Sequence, residues 1–232
     1  MKKIVLMAVL YTLFSFNALY PEKAENEALF LSYIASGDIE EVSNFIDNKK
    51  ININAIIEDS ATPLIFSIIF KQDEIAKMLI EKGANLNRKD KAGLTALIHS
   101  IMYNRTEVSK LLIEKKADVN TKVSLNENGV HIKNFTPLIV NENKEVAQSL
   151  INAGAKINIK FTAKYPGRNI KLENATPLMW FILNDNTEIA QLLIESGADI
   201  NTKDKIGKTA LDYAKEKNNT KIEQLLISKG AK

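Results

Sequence analysis

The apolar positions of this chain fall into short paired runs. Between Thr176 and Asn201 the pattern is clearest. A Thr able to accept a backbone N–H precedes a Pro whose fixed φ suits a first helical turn, and an unbroken apolar run follows from Leu178 to Leu183. Asn184 to Thr187 form a polar break. A second run, Ile189 to Ile194, has helical spacing and stops at Gly197, which can take the left-handed conformation that ends a helix. The stretch predicts helix, turn, helix, and then a short extended Ile200-Asn201.

The same pattern recurs along the chain. Thr62-Pro63-Leu64, Thr95-Ala96-Leu97, Thr136-Pro137-Leu138, Thr176-Pro177-Leu178 and Thr209-Ala210-Leu211 each open a unit. Second helices carry Met78-Leu79-Ile80, Leu111-Leu112-Ile113, Leu150-Ile151, Leu192-Leu193-Ile194 and Leu225-Leu226-Ile227. Units close on segments such as Gly83-Ala84-Asn85-Leu86-Asn87 and Gly197-Ala198-Asp199-Ile200-Asn201. Thr62 to Thr95, and Thr176 to Thr209, are each 33 residues apart. This set resembles the ankyrin-repeat family over about Glu25 to Lys232. The resemblance implies an all-α solenoid of about six stacked helix-turn-helix units, joined by short hairpin loops, that acts by binding proteins. The expected units are 24–56, 57–89, 90–122, 123–160, 161–203 and 204–232, with terminal units more polar than the rest.

Spacing locates two irregularities. The closing Asn lies 8 residues before the next Thr after Asn54, Asn87 and Asn201, but 16 after Asn120 and 18 after Asn158. The loops 121–135 and 159–175 are therefore enlarged at the same place in the repeat. From Thr136 to Asn158 the count is 22 where other units have 25, so the first helix of that unit shrinks to about Pro137 to Asn141. A notch at 140–143 is expected, with one loop on each side. Two further departures concern single residues. Lys116 stands where sister units have Gly83, Gly154, Gly197 and Gly230, and is expected at positive φ. The family's Thr-Pro-Leu-His has Ile65, Ile98, Ile139, Met179 and Asp212 in its fourth place, so a ladder of His bonds between units is not expected.

Met1-Lys2-Lys3 and the apolar run from Ile4 to Phe14 predict a signal peptide over 1–20, with no clear small-x-small cleavage site. Export to the periplasm or exterior is the expected address, with an uncleaved membrane anchor as the alternative. Without Lys2 and Lys3 the balance is 29 basic against 28 acidic residues, which gives no reason to expect nucleic acid. The chain has no Cys, so no disulfide or lipid-attached Cys is available. Asn-x-Thr triplets at Asn104, Asn134, Asn174 and Asn218 are no more than a chain this rich in Asn yields by chance.

Catalytic chemistry has little support. His99 reads as a packed helix residue, and His131 with Glu127 supplies at most two loop ligands for a metal. There is no phosphate-cradling Gly loop, and no Ser has a nearby His base. No enzyme activity, metal or cofactor is expected. The informative positions lie seven and eight residues after each opening Thr, where ankyrin repeats commonly contact partners: Ile69 and Phe70, Met102 and Tyr103, Leu183 and Asn184. With the loop residues His131, Tyr165 and Arg168, these make Phe70, Met102, Tyr103 and Leu183 the expected protein-binding set of a monomeric scaffold. Self-packing of the enlarged loops into the groove, a structural role held at the envelope, and a carbohydrate or small ligand are the alternatives.

Overall fold

The computed structural model describes residues 21–57, 60–127, 129–165 and 170–232. The expected signal segment, and Arg168 in the second enlarged loop, lie outside them. The chain divides into two compact units, Met1–Ala117 and Asp118–Lys232.

In the first unit helices come in pairs: α1 (Pro21–Ser36) with α2 (Ile39–Asp47), α3 (Pro63–Ile69) with α4 (Asp73–Glu81), and α5 (Ala96–Met102) with α6 (Thr106–Glu114). Each short first helix starts for a local reason. Thr62 and Thr95 are extended N-caps whose hydroxyls accept from Ile65 N and Ile98 N, and Pro63 occupies a first-turn position where no N–H is needed. Seven residues cannot sustain a helix in water, so packing supplies the stability. Leu64, Leu79, Leu97, Val108 and Leu112 are completely buried. Each contributes roughly 1.5–3 kcal/mol relative to exposure. Polar links join neighbouring pairs. Arg105 clamps Asp73 through Nε–Oδ1 at 2.8 Å and Nη2–Oδ2 at 2.5 Å. Lys82 holds Asp47 at 2.6 Å, and Gln72 Nε2 donates to Ala35 O at 2.9 Å.

The second unit departs from an all-α architecture. The enlarged loops are β-hairpins: β1 (Val123–Glu127) with β2 (Val130–Phe135), and β3 (Phe161–Tyr165) with β4 (Ile170–Ala175). They join through β2 and β3 into one antiparallel sheet in the order β1-β2-β3-β4, with His131, Ile132 and Lys133 opposite Lys164, Ala163 and Thr162. The loops thus pair with each other and do not stand as separate walls of a notch. Asn134 and Asn174 are the extra residues of two bulges, held at φ +60° and +56°. Each bulge returns the following residue to the inner face, so Phe135, Phe161, Ala163, Leu172 and Ala175 are all buried.

The helices of this unit are α7 (Lys144–Asn152), α8 (Pro177–Leu183) with α9 (Thr187–Glu195), and α10 (Ala210–Glu216) with α11 (Thr220–Ser228). Among the described residues α7 has no first-helix partner, so the helices make five pairs and a single. The expected helix at Pro137 to Asn141 is only a turn, closed by Ile139 N to Thr136 O at 3.0 Å and Asn141 N to Leu138 O at 3.3 Å. The five residues from Pro137 to Asn141 are too few to offset the entropy of a helical nucleus. The cap is lost as well: Thr136 Oγ1 is buried without a partner.

The closing Asn residues tie units together where no His ladder exists. The Oδ1 atoms of Asn54, Asn120, Asn158 and Asn201 accept from the backbone N–H of Asn85, Lys156, Asp199 and Lys232, at 2.7, 2.8, 2.9 and 3.0 Å. A short side chain in a fixed loop bonds a fixed main-chain donor at these four steps, without histidine.

Candidate functional site

The expected contact residues of the first unit lie at the ends of two packed helices. Phe70 is the C-cap of α3 and Tyr103 the C-cap of α5. One turn earlier each has a ring partner: Phe66 stacks on Phe70 with centroids 5.9 Å apart, and His99 on Tyr103 at 6.1 Å. Two parallel ring pairs thus line one edge, because residues four apart share a helix face. Beside them Met102 is 58% exposed and Tyr103 39%. Ile206 and Ile227 are exposed as well, but here two large apolar groups are adjacent, and Tyr103 belongs to a stacked ring pair. Phe70 and Tyr103 thus hold the same C-cap position on two helices that pack against each other, with Met102 preceding Tyr103.

His99 is a framework residue, as its helical position suggests. It is buried, and its Nε2 lies 2.7 Å from Asp90 Oδ2. Asp90 Oδ1 accepts from Leu94 N at 2.8 Å, bracing the turn that places Gly93 at φ +80°. The second unit repeats the device with another residue. Tyr213 donates its hydroxyl to Asp204 at 2.7 Å, and Asp204 Oδ1 accepts from Ile206 N and Lys208 N. Burial, then the Asp204 carboxylate, pushes the Tyr213 phenol well above its usual range. At the same place in the repeat stands Trp180, edge-on to Phe135 at 5.7 Å and to Phe161 at 5.9 Å. Sequence reasoning passed over Trp180; its register four residues after the opening Thr was the available signal.

Leu183 ends α8 and is half-buried. His131 sits mid-strand in β2, opposite Asn126 and Lys164. Tyr165 ends β3 opposite Ile170. His131 and Tyr165 belong to the sheet, and not to the helix edge that carries Met102 and Tyr103. On the outward side of that sheet Glu173 binds both Lys205 and Lys164, the latter at 3.1 Å. These ammonium groups, Lys205 first, hold the Glu173 carboxyl down at about 2. No group of three His, Asp or Glu stands at metal-binding distance among the described residues. A shallow depression of about 530 Å³ is lined by Lys122, Lys156, Ile157 and Ile159, with no carboxylate or His among its lining residues.

Repeated Thr-capped helix pairs with short closing loops agree with what comparison finds. A sequence model of ankyrin repeats (three copies) matches residues 29–123 and 138–232. The chain belongs to the ankyrin-repeat family. No curated protein matches it. Solved structures do. An ankyrin repeat domain (ABAYE2397) from Acinetobacter baumannii AYE is 26% identical, covering 89% of this chain and all of that one, with a TM-score of 0.71. A chain in the structure of the predatory endopeptidase Bd0816 from Bdellovibrio bacteriovorus in complex with the immunity protein Bd3460 is 29% identical. That match covers 86% of this chain and 97% of that one, with a TM-score of 0.67. Ankyrin domains are generally protein-binding scaffolds, and both units here carry that framework.

Proposed function

We propose that the protein is a non-catalytic ankyrin scaffold of the cell envelope or exterior that binds a protein partner. The observation that carries this reading is the exposed Met102–Tyr103 edge beside the stacked Phe66–Phe70 pair, an apolar and aromatic surface on a well-ordered helical framework. The basic and apolar N-terminal sequence supports export. Likeness to a chain of an endopeptidase–immunity protein complex favours an enzyme as the partner and inhibition as the outcome.

The test is photo-crosslinking from position 103 in a chain beginning at residue 21, exposed to envelope extract. The expected result is a discrete protein adduct. In the native chain, Met102→Ala and Tyr103→Ala should each weaken that partner's binding by more than about 1 kcal/mol while leaving the unfolding midpoint in place. Adding the chain to the captured enzyme should lower its turnover. Absence of any adduct, or unchanged affinity in both variants, overturns the reading.

A further inference from the structure

The outward face of the sheet concentrates positive charge in two rows. His131, Lys164 and Lys171 stand directly opposite one another on β2, β3 and β4. The next row is Lys133, Thr162 and Glu173. Lys205 extends the face beyond β4, its N–H donating to Glu173 O at 2.9 Å. Four lysines therefore share one carboxylate, and Glu173 is already engaged by Lys164 and Lys205. Lys133 and Lys171 are exposed and have no acidic partner among the described residues.

Folding accounts for Lys164 and Lys205, which pair with Glu173, but not for Lys133 and Lys171. Like charges directly opposite on neighbouring strands destabilise a sheet, and Lys171 opposite Lys164 is such a pair. The buried inner face, with Ala163 and Leu172, would be served equally well by neutral residues outside. We propose that this face docks an acidic segment of a protein partner, whose carboxylates pair with Lys133 and Lys171 across the strands. Those two lysines are two strands apart and one row apart along the strands, about 12 Å, a span that acidic side chains four positions apart on one face of an extended segment can bridge. A protein is favoured over nucleic acid because the rows contain no Arg fork for phosphate and no Phe, Tyr or Trp on which a base could stack. This inference rests on the protein-binding reading above and adds the partner's charge and a second contact surface.

The experiment uses the chain from residue 21 and three probes: a fluorescein-labelled Asp/Glu-rich peptide, labelled duplex DNA, and anionic lipid vesicles. The peptide should bind, lose affinity about tenfold or more in the Lys133→Glu/Lys171→Glu variant, and dissociate at about 1 M salt, where the Debye length is near 3 Å. The Lys133→Arg/Lys171→Arg variant should retain it. Because Lys171→Glu places an acid opposite Lys164, the charge-reversed protein should unfold no earlier than the native one, which separates lost binding from lost fold. Peptide affinity untouched by charge reversal overturns the inference, as does tighter binding of DNA or vesicles. Should the partner crosslinked at position 103 bind the reversed variant at full strength, this inference falls and the scaffold reading stands. Should no partner be captured there at all, the scaffold reading itself falls.

Discussion

Replacing Lys116 by Gly should stabilise the protein. Lys116 follows α6 at φ +67°, in the place where Gly83, Gly154, Gly197 and Gly230 hold +84° to +88°. Its N–H donates to Ile113 O at 3.0 Å and that of Ala117 to Leu112 O at 2.9 Å, the paired bonds of a helix terminated by one left-handed residue. An L-residue there costs roughly 1–2 kcal/mol. A new Gly returns about 0.4–1 kcal/mol of that through the greater freedom of the unfolded chain. The net gain is about 0.5–1 kcal/mol, or roughly 1–4 °C for a chain of this size. The reciprocal change is Gly83→Ala. An added Cβ at Gly83 meets nothing within 4 Å, so the loss, about 1 kcal/mol, is due to the backbone alone. Urea and thermal titrations followed by far-UV circular dichroism measure both. A midpoint that fails to rise in Lys116→Gly, or fails to fall in Gly83→Ala, refutes the reasoning.

Other outcomes follow from the packing and from charge. Leu112 and Leu193 are fully buried, so Leu→Ala at either should cost roughly 2–5 kcal/mol in the same titrations. Asn158→Ala removes the acceptor for Asp199 N and should cost about 0.5–1.5 kcal/mol, with faster hydrogen exchange at the Asp199 amide. For Glu173 the folded pKa of about 2 lies below the ordinary 4.5. Its ion pairs therefore stabilise the sheet above about pH 4.5 and are lost as pH falls towards 2. Hydrogen exchange at the Lys205 amide should accelerate through that window in the native chain. In Glu173→Gln the acceleration should disappear.

Much of the fold was legible because each signal is local. The Thr caps other than Thr136, the apolar second helices and the terminal glycines act within a few residues, and the structure places them as read. The sheet was not, although Val130-His131-Ile132-Lys133 and Phe161-Thr162-Ala163-Lys164 alternate with period two. Alternation marks a strand but does not name its partner, and the pairing of β2 with β3 joins separate loops. The Asn-x-Thr triplets, read from the sequence as chance matches to a modification signal, have a conformational cause. Asn104, Asn134, Asn174 and Asn218 all have φ between +53° and +60°, a conformation Asn tolerates better than most residues, and each lies just before a Thr that opens a helix or, at Thr136, a single turn. Of the expected contact set, Met102 and Tyr103 stand exposed at the positions their register gave. Lys164 and Lys171 are visible in the sequence as a cationic cluster of the second loop, but their rows with His131 and Lys133 exist only once two loops share one register.

The two bulges also define a seam. Asn134-Phe135-Thr136-Pro137-Leu138 and Asn174-Ala175-Thr176-Pro177-Leu178 enter their units through the same left-handed Asn and the same Thr-Pro-Leu sequence. Joining Phe135 directly to Thr176 would delete the turn, α7 and the second hairpin as one cassette, without cutting any strand or helix on either side. The first hairpin would then lead straight into α8, where Trp180 already touches Phe135. In reverse, the same cassette is a module that can be duplicated. Each added copy would widen the sheet by two strands while the array grew by a single helix, so length and sheet width could be varied in a fixed proportion.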